Sequence, residues 1–345
     1  MQTTSLGRSG LSVSRLCLGT MNFGASVDEA AAHAQLDMAL DAGVTFLDTA
    51  ELYPSPPDAG SFGATEAMIG RWLAARGARD RVVIATKATG RSRMPWLRPW
   101  EGGTRLDARN IEAAVEGSLR RLGTDVIDLY QLHWPDRKTN IFGQLGYTPA
   151  AKDDAVPLEE TLGALGRLVD AGKIRAVGLC NETPWGIMTA LALAEAHGLP
   201  RVATVQNPYN LLNRTFEIGL AEIAHREDMG LLAYAPLSMG MLTGKYLGGA
   251  RPAGSRLSEH RHFARFLEGE EAAGRYAALA RDHGMEPATL ALAWVLSRPF
   301  TASVLIGATS PEQLRRNIAA AEVTPSDEVI AAVDAIHAEH PNPVP

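Results

Sequence analysis

Four residues at the ends of strand-like runs have the types needed to move a proton onto a carbonyl oxygen. Asp48 and then Tyr53 follow the run Thr45-Phe46-Leu47, Lys87 closes a run that starts at Val82, and His133 closes one that starts at Val126. If those runs are parallel neighbours in one sheet, their ends share a mouth. A tyrosine phenol, with a reference pKa near ~10, is a poor acid at neutral pH unless its anion is stabilised. A lysine ammonium beside the phenol lowers that pKa, and a carboxylate paired with the lysine keeps the ammonium charged and oriented. A neutral histidine can then donate a hydrogen bond to the carbonyl oxygen and hold it against the phenol. Assistance of this kind contributes roughly 10² to 10⁴ in rate and supplies no electrons. Taken singly, each residue has a plainer role: Asp48 as a turn cap, Tyr53 in packing, Lys87 as a solvated strand end, His133 as a loop residue. Convergence of all four favours chemistry.

The elements that must position them alternate between short β-branched runs and longer runs of helical periodicity, the pattern of βα units around a parallel sheet. Eight strands are expected, at residues 16–20, 45–50, 82–87, 126–133, 174–180, 203–207, 231–235 and 303–307. Eight suggests closure, and the predicted fold is α/β: a (β/α)8 TIM barrel with an N-terminal β-hairpin at residues 6–15 and extra helices, one domain over residues 1–345. Gly43, Gly123, Gly172, Gly198 and Gly230 each follow a helical run, where a left-handed glycine closes a helix. Three long loops, 88–106, 134–157 and 237–266, are rich in Pro, Gly, Trp and Arg and belong at the functional face. Residues 326–340 read as a further helix, with 341–345 frayed.

Composition sets the outer limits. A hydrophobic fraction of 46% suits a large core, and a formal charge of -6 argues against general nucleic-acid binding. The start, Met1-Gln2-Thr3-Thr4, lacks a charged region leading into an apolar core, and no run of about 18 apolar residues occurs, so a cytoplasmic protein without a membrane partner is expected. The two cysteines, Cys17 and Cys180, sit in apolar runs and read as buried reduced thiols. His260 and His262 form an H-x-H in a charged loop, weak support for a metal, and none is expected.

No GxGxxG follows the first strand and no GxxxxGK[ST] occurs, so a nucleotide phosphate must bind in another way. At the last βα junction, Ser310 takes the N-cap position, Pro311 the first helical turn and Gln313 the third position, with Arg315 and Arg316 behind. Backbone N–H groups at such a helix start favour anions, although an ordinary capping box has the same sequence. Lys245 and Arg256 either clamp phosphates or are solvated charges. Asn181 and Gln206 are amides at strand ends where a nicotinamide carboxamide would pair them, and Tyr234 can stack on such a ring or pack in the core.

In order along the chain, Gly19-Thr20-Met21, Asp48-Thr49-Ala50 with Tyr53, Thr86-Lys87, Gln131-Leu132-His133, Gly178 to Asn181, Gln206-Asn207-Pro208-Tyr209, Tyr234-Ala235-Pro236-Leu237 and Gly307 to Asn317 resemble the aldo-keto reductase superfamily. The likeness is greatest to its Tas-type bacterial members, in Leu52-Tyr53-Pro54, His133-Trp134-Pro135, Asn140 to Gly143, Asn207 to Arg214 and Leu242 to Leu247. The resemblance implies NADPH as cofactor and Asp48, Tyr53, Lys87 and His133 as the catalytic tetrad, with Tyr53 protonating the oxygen of an aldehyde or ketone. It implies cofactor contacts from Gly19, Thr20, Met21, Asp48, Asn181, Gln206 and Tyr234, from Pro236, Leu237 and Ser238, from Lys245 and Arg256 at the phosphates, and from Gly307, Thr309, Gln313, Arg316 and Asn317 near the adenosine. The chain departs from the family pattern in having Cys180 where serine often precedes the asparagine, Pro54 where glycine often follows the tyrosine, and Arg316 where some members carry an acid. Positive charge at Arg316 should favour a 2'-phosphate, hence NADPH over NADH.

A substrate pocket is expected between Met21, Phe23, Trp134 and Tyr209, with Trp96, Trp100 and Tyr147 as further walls suited to apolar or aromatic aldehydes. The substrate itself and the oligomeric state are not encoded in these patterns. Two other readings stay open: an aldolase using Lys87 as a Schiff base, and a nucleotide-binding regulatory subunit of the kind that resembles potassium-channel β subunits.

Overall fold

The computed structural model describes residues 1–259 and 261–344. The chain opens with an antiparallel hairpin, β1 (Thr3–Ser5) and β2 (Ser12–Ser14), which begins earlier than its glycines suggested. Eight parallel strands follow: β3 (Leu16–Gly19), β4 (Phe46–Asp48), β5 (Val83–Ala88), β6 (Ile127–Leu132), β7 (Ile174–Cys180), β8 (Val202–Pro208), β9 (Gly230–Tyr234) and β10 (Thr301–Ile306). They close in the order β10-β3-β4-β5-β6-β7-β8-β9, a (β/α)8 barrel. Strands covered on both faces need apolar residues throughout, which is why these runs read as continuously hydrophobic.

The crossovers carry α1 (Glu29–Asp41), α2 (Ala64–Arg76), α3 (Ala108–Leu122), α4 (Leu158–Asp170), α5 (Pro184–His197) and α6 (Leu220–Arg226). After β9 come α7 (Arg256–Glu259), α8 (Glu270–Asp282) and α9 (Pro287–Ser297), and after β10 come α10 (Pro311–Ala319) and α11 (Asp327–Glu339). Several starts are fixed by side chains that take up a free backbone N–H: Asp28 caps α1, Asp107 caps α3, Thr183 caps α5, Ser310 caps α10 and Ser326 caps α11. No helix among the described residues is long and apolar enough to cross a membrane.

Gly43, Gly123, Gly172 and Gly198 all have the left-handed backbone expected of them, whereas Gly230 does not. It opens β9, and the left-handed residue after α6 is Asp228 at φ 49°. Glycine is required at 230 for space, since an added Cβ would stand 2.5 Å from Ala302 Cβ. The end of the chain also differs from expectation. Asn342 Oδ1 accepts from Arg214 N at 2.6 Å and Val344 is buried in the core, so residues 341–344 are packed rather than frayed.

Two layers of side chains fill the barrel. At the bottom, Leu6 and Val13 of the hairpin region pack against Cys17, Phe46, Ala85, Leu129, Ala176 and Leu232. Strand side chains alternate with period two, so the next inward positions on β4, β5, β6 and β9 are Asp48, Lys87, Gln131 and Tyr234. An apolar plug below a polar upper layer is what brings these groups to the C-terminal mouth, the face where barrel chemistry is sited.

Candidate active site

Register fixes the polar layer. Asp48 lies opposite Ala85, Lys87 opposite Gln131, and Cys180 opposite Gln206. Lys87 is fully buried; its Nζ donates to Asp48 Oδ1 at 2.5 Å and to the Thr49 carbonyl at 2.8 Å, and lies 3.4 Å from the Tyr53 hydroxyl. The Tyr53 ring meets the His133 ring edge-on, with centroids 5.6 Å apart. The structure therefore brings Asp48, Tyr53, Lys87 and His133 together over the barrel.

Burial sets the electrostatics. Loss of solvent pulls the Lys87 ammonium down, but Asp48 and the Tyr53 oxygen outweigh it, and the net effect raises its pKa above the ordinary lysine value. His133 is held neutral, its pKa pushed well below 6.5 by burial and then by the positive charge of Lys87. Tyr53 departs from expectation. Burial raises its pKa to about 12, more than Lys87 lowers it, and Asp48 adds to the rise. Desolvation of the phenolate outweighs the nearby ammonium here.

Around this centre, Asn181 Nδ2 donates to the His133 carbonyl at 2.9 Å and Asn181 Oδ1 accepts from the Tyr234 hydroxyl at 2.6 Å. Gln206 Nε2 donates to Asp48 Oδ2 at 2.9 Å, and the Thr20 hydroxyl donates to the Asp48 carbonyl at 2.8 Å. Gly19 and Gly307 flank each other at the ends of neighbouring strands, and Met21 is half-buried with its carbonyl accepting from Ser55 N at 3.1 Å. Pro236, Leu237 and Ser238 form the turn after β9, where Ala235, Ser238 and Met239 have φ of 50°, 48° and 54°. Left-handed backbone at residues with side chains is strained and gathers at functional loops.

The two expected phosphate cations differ in their surroundings. Arg256 Nη2 donates to Asn22 Oδ1 at 2.6 Å, joining two mouth loops, while Lys245 is exposed with its ammonium 5.1 Å from the Tyr246 ring. At α10, Ser310 caps Gln313 N, and Gln313 Oε1 accepts from both the backbone and the hydroxyl of Thr309 at 3.1 Å. Asn317 Nδ2 donates to the Gly307 carbonyl at 3.2 Å. Arg316 is exposed and pairs with Glu312 one turn earlier.

Two expected wall residues lie elsewhere. Tyr209 is fully buried, stacked on Trp294 of α9 with centroids 5.3 Å apart and donating its hydroxyl to Glu217 at 2.5 Å. Phe23 is buried in the large core cluster outside the barrel plug, its carbonyl accepting from the Thr65 hydroxyl at 2.7 Å. Trp96 packs on Phe62, and Trp100 lies under the Arg109 guanidinium of α3 at 3.8 Å. Tyr147 is exposed. Trp134 does adjoin His133, and its outer neighbour is Phe142, whose carbonyl accepts from Arg265 at 2.6 Å. A cavity of about 150 Å³ beside Trp134 and Cys180 contains none of Asp48, Tyr53, Lys87 or His133 in its lining.

Residue types alone did not single out Gln131, Phe142 or Arg265. For Gln131 a signal was present, since an amide two residues beyond the inward Leu129 must also face inward. His260 lies outside the described residues, and among those described no group of three His, Cys, Asp or Glu side chains could hold a metal ion. Cys17 and Cys180 are buried and free; burial pushes the Cys180 thiol up to about 12.

A closed (β/α)8 barrel carries Asp48, Lys87, Tyr53 and His133 together at its C-terminal mouth. Residues 15–338 match the Aldo/keto reductase family, and the chain belongs to that family of oxidoreductases acting on carbonyl compounds. It is 47% identical to protein tas of Escherichia coli (strain K12) over 349 residues, covering 100% of both chains. The uncharacterized oxidoreductase YrpG of Bacillus subtilis is 37% identical, over 97% of this chain and 96% of its own length. A probable voltage-gated potassium channel subunit beta of Oryza sativa subsp. japonica is 31% identical, over the same shares.

Proposed function

We propose that this protein reduces aldehydes or ketones to alcohols with NADPH, and that Tyr53 delivers the proton. The observation that carries the reading is the fully buried Lys87 held between Asp48 and the Tyr53 hydroxyl. The residues fit a nicotinamide nucleotide. His133 Nδ1 and Ser238 Oγ are buried with no hydrogen-bond partner among the described residues, so a polar ligand would satisfy groups that the protein itself leaves unpaired. Asn181 and Gln206 would hold the carboxamide, Tyr234 would support the ring, and Gly19, Thr20 and Met21 would line the same end. Pro236, Leu237, Ser238, Lys245 and Arg256 would hold the phosphates, with Gly307, Thr309, Gln313, Arg316 and Asn317 around the adenosine. When bound, the nucleotide supplies a hydride.

The chain's own residues would do the rest. His133, neutral, orients the substrate oxygen by a hydrogen bond; Tyr53 gives up its proton to that oxygen; Lys87 stabilises the phenolate left behind; Asp48 keeps Lys87 charged. Trp134 and Phe142 offer an aromatic wall suited to aromatic or apolar carbonyl compounds. The thiols of Cys17 and Cys180 support a cytoplasmic setting. A Schiff base on Lys87 is disfavoured, because that chemistry needs a neutral amine and Asp48 holds this one charged. A second reading, retention of the nucleotide by a regulatory subunit with negligible turnover, rests on the likeness to the rice chain.

The test is consumption of NADPH against a panel of aliphatic and aromatic aldehydes. Turnover is expected, with NADPH used in preference to NADH through Arg316. Tight retention of NADPH with no oxidation by any aldehyde would instead support the regulatory reading.

A further inference from the structure

Gln131 is fully buried on β6 and cannot reach a substrate, yet it touches two of the groups on which the proposed chemistry depends. Its Nε2 donates to Asp48 Oδ2 at 3.0 Å, and its Oε1 accepts from Gln206 Nε2 at 3.2 Å. Gln206 Nε2 gives its other proton to the same Asp48 Oδ2, at 2.9 Å. The three side chains close a ring of hydrogen bonds, while Asp48 Oδ1 is left to Lys87. The ring fixes both amides, since a flipped Gln131 would turn its own oxygen toward a carboxylate oxygen. A buried carboxylate oxygen is costly to leave without donors, and the two amides supply them at Oδ2.

The barrel is shaped to admit this side chain. Gly178 of β7 lies opposite Gln131, and an added Cβ there would stand 3.1 Å from Gln131 Cγ and 2.5 Å from Thr204 Oγ1.

We propose that Gln131 is a positioning residue: it holds Asp48 turned toward Lys87 and sets the amide of Gln206, with the Gln206 oxygen left to face Cys180 Sγ at 3.7 Å and the bound nucleotide. The inference rests on the reductase reading above. Without the Gln131 amide, Asp48 Oδ2 keeps one donor and the carboxylate can swing away from Lys87, and Gln206 loses the acceptor that orients it.

Two variants test this. Gln131→Leu keeps the volume and removes both hydrogen bonds; kcat should fall on the order of 10-fold or more, with weaker NADPH binding, because small displacements of reacting groups are costly. In Gln131→Glu, the introduced carboxyl can donate to Asp48 and accept from Gln206 while protonated, and two carboxyls in one buried site share a proton. Its kcat should therefore approach wild type at low pH and fall as pH rises, a limb absent from the wild-type reduction profile. Unchanged kcat and pH profile in the Leu variant, or a rate independent of pH in the Glu variant, would overturn the proposal; if the Leu variant does not fold, the Glu limb decides. Tyr53→Phe measured alongside separates the two levels. If it stays active the reductase reading fails and the inference with it, whereas an inactive Tyr53→Phe beside unaltered Gln131 variants sinks the positioning role alone.

Discussion

Replacing Tyr53 with Phe is expected to lower kcat for aldehyde reduction by about 10² to 10⁴ while NADPH binding stays within about twofold. The substitution removes one oxygen. The ring keeps its edge-on contact with His133 and its place 4.8 Å from the Lys87 ammonium, so the site should hold its shape. What disappears is the hydroxyl 3.4 Å from Lys87, the proposed proton source. Fluorescence titration of NADPH and steady-state kinetics on one preparation separate binding from proton delivery. A variant that kept most of its rate would show that another group, or water, protonates the product.

Lys87→Met should abolish measurable reduction and also lower stability by about 3–5 kcal/mol. Lys87 is fully buried and pairs with Asp48, itself buried. Removing the cation leaves a carboxylate with only the amide donors of Gln131 and Gln206, a charge without a counter-ion in a buried layer. Urea unfolding of the variant should show that loss, and adding Asp48→Asn should recover part of it, since the second change removes the stranded charge. If Lys87→Met unfolds at the wild-type urea concentration, the ion pair is not the strong coupling described here.

The barrel was legible in the sequence because its strands are short, apolar and β-branched, and because helical runs between them end at glycine. The meeting of Asp48, Tyr53, Lys87 and His133 was legible for a related reason: each terminates or follows an apolar run, and parallel strands bring such ends to one face. With Gln206 inward, Asn207 outward and Pro208 inward, Tyr209 turns outward toward Trp294, so its place in the core follows from the alternation that places Gln131 inside. Phe23 offers no such rule, being in a loop. Long-range packing was hidden as well: the hold of Arg214 on Asn342 joins residues far apart in sequence. The rise in the Tyr53 pKa was not legible, because desolvation depends on how completely the loops cover the phenol, and residue types do not report cover.

The most direct test of the central claim, a neutral, partly buried phenol as the proton source, is the pH dependence of kcat in both directions on wild-type protein. With Tyr53 at about 12 and His133 neutral, reduction should be flat from about pH 6 to about pH 9. Alcohol oxidation, which needs the phenolate as base, should climb by up to about tenfold per pH unit over that range without a plateau. An oxidation rate that levels off near neutrality, or a reduction rate that falls across pH 6 to 7 as a histidine would titrate, would contradict the account.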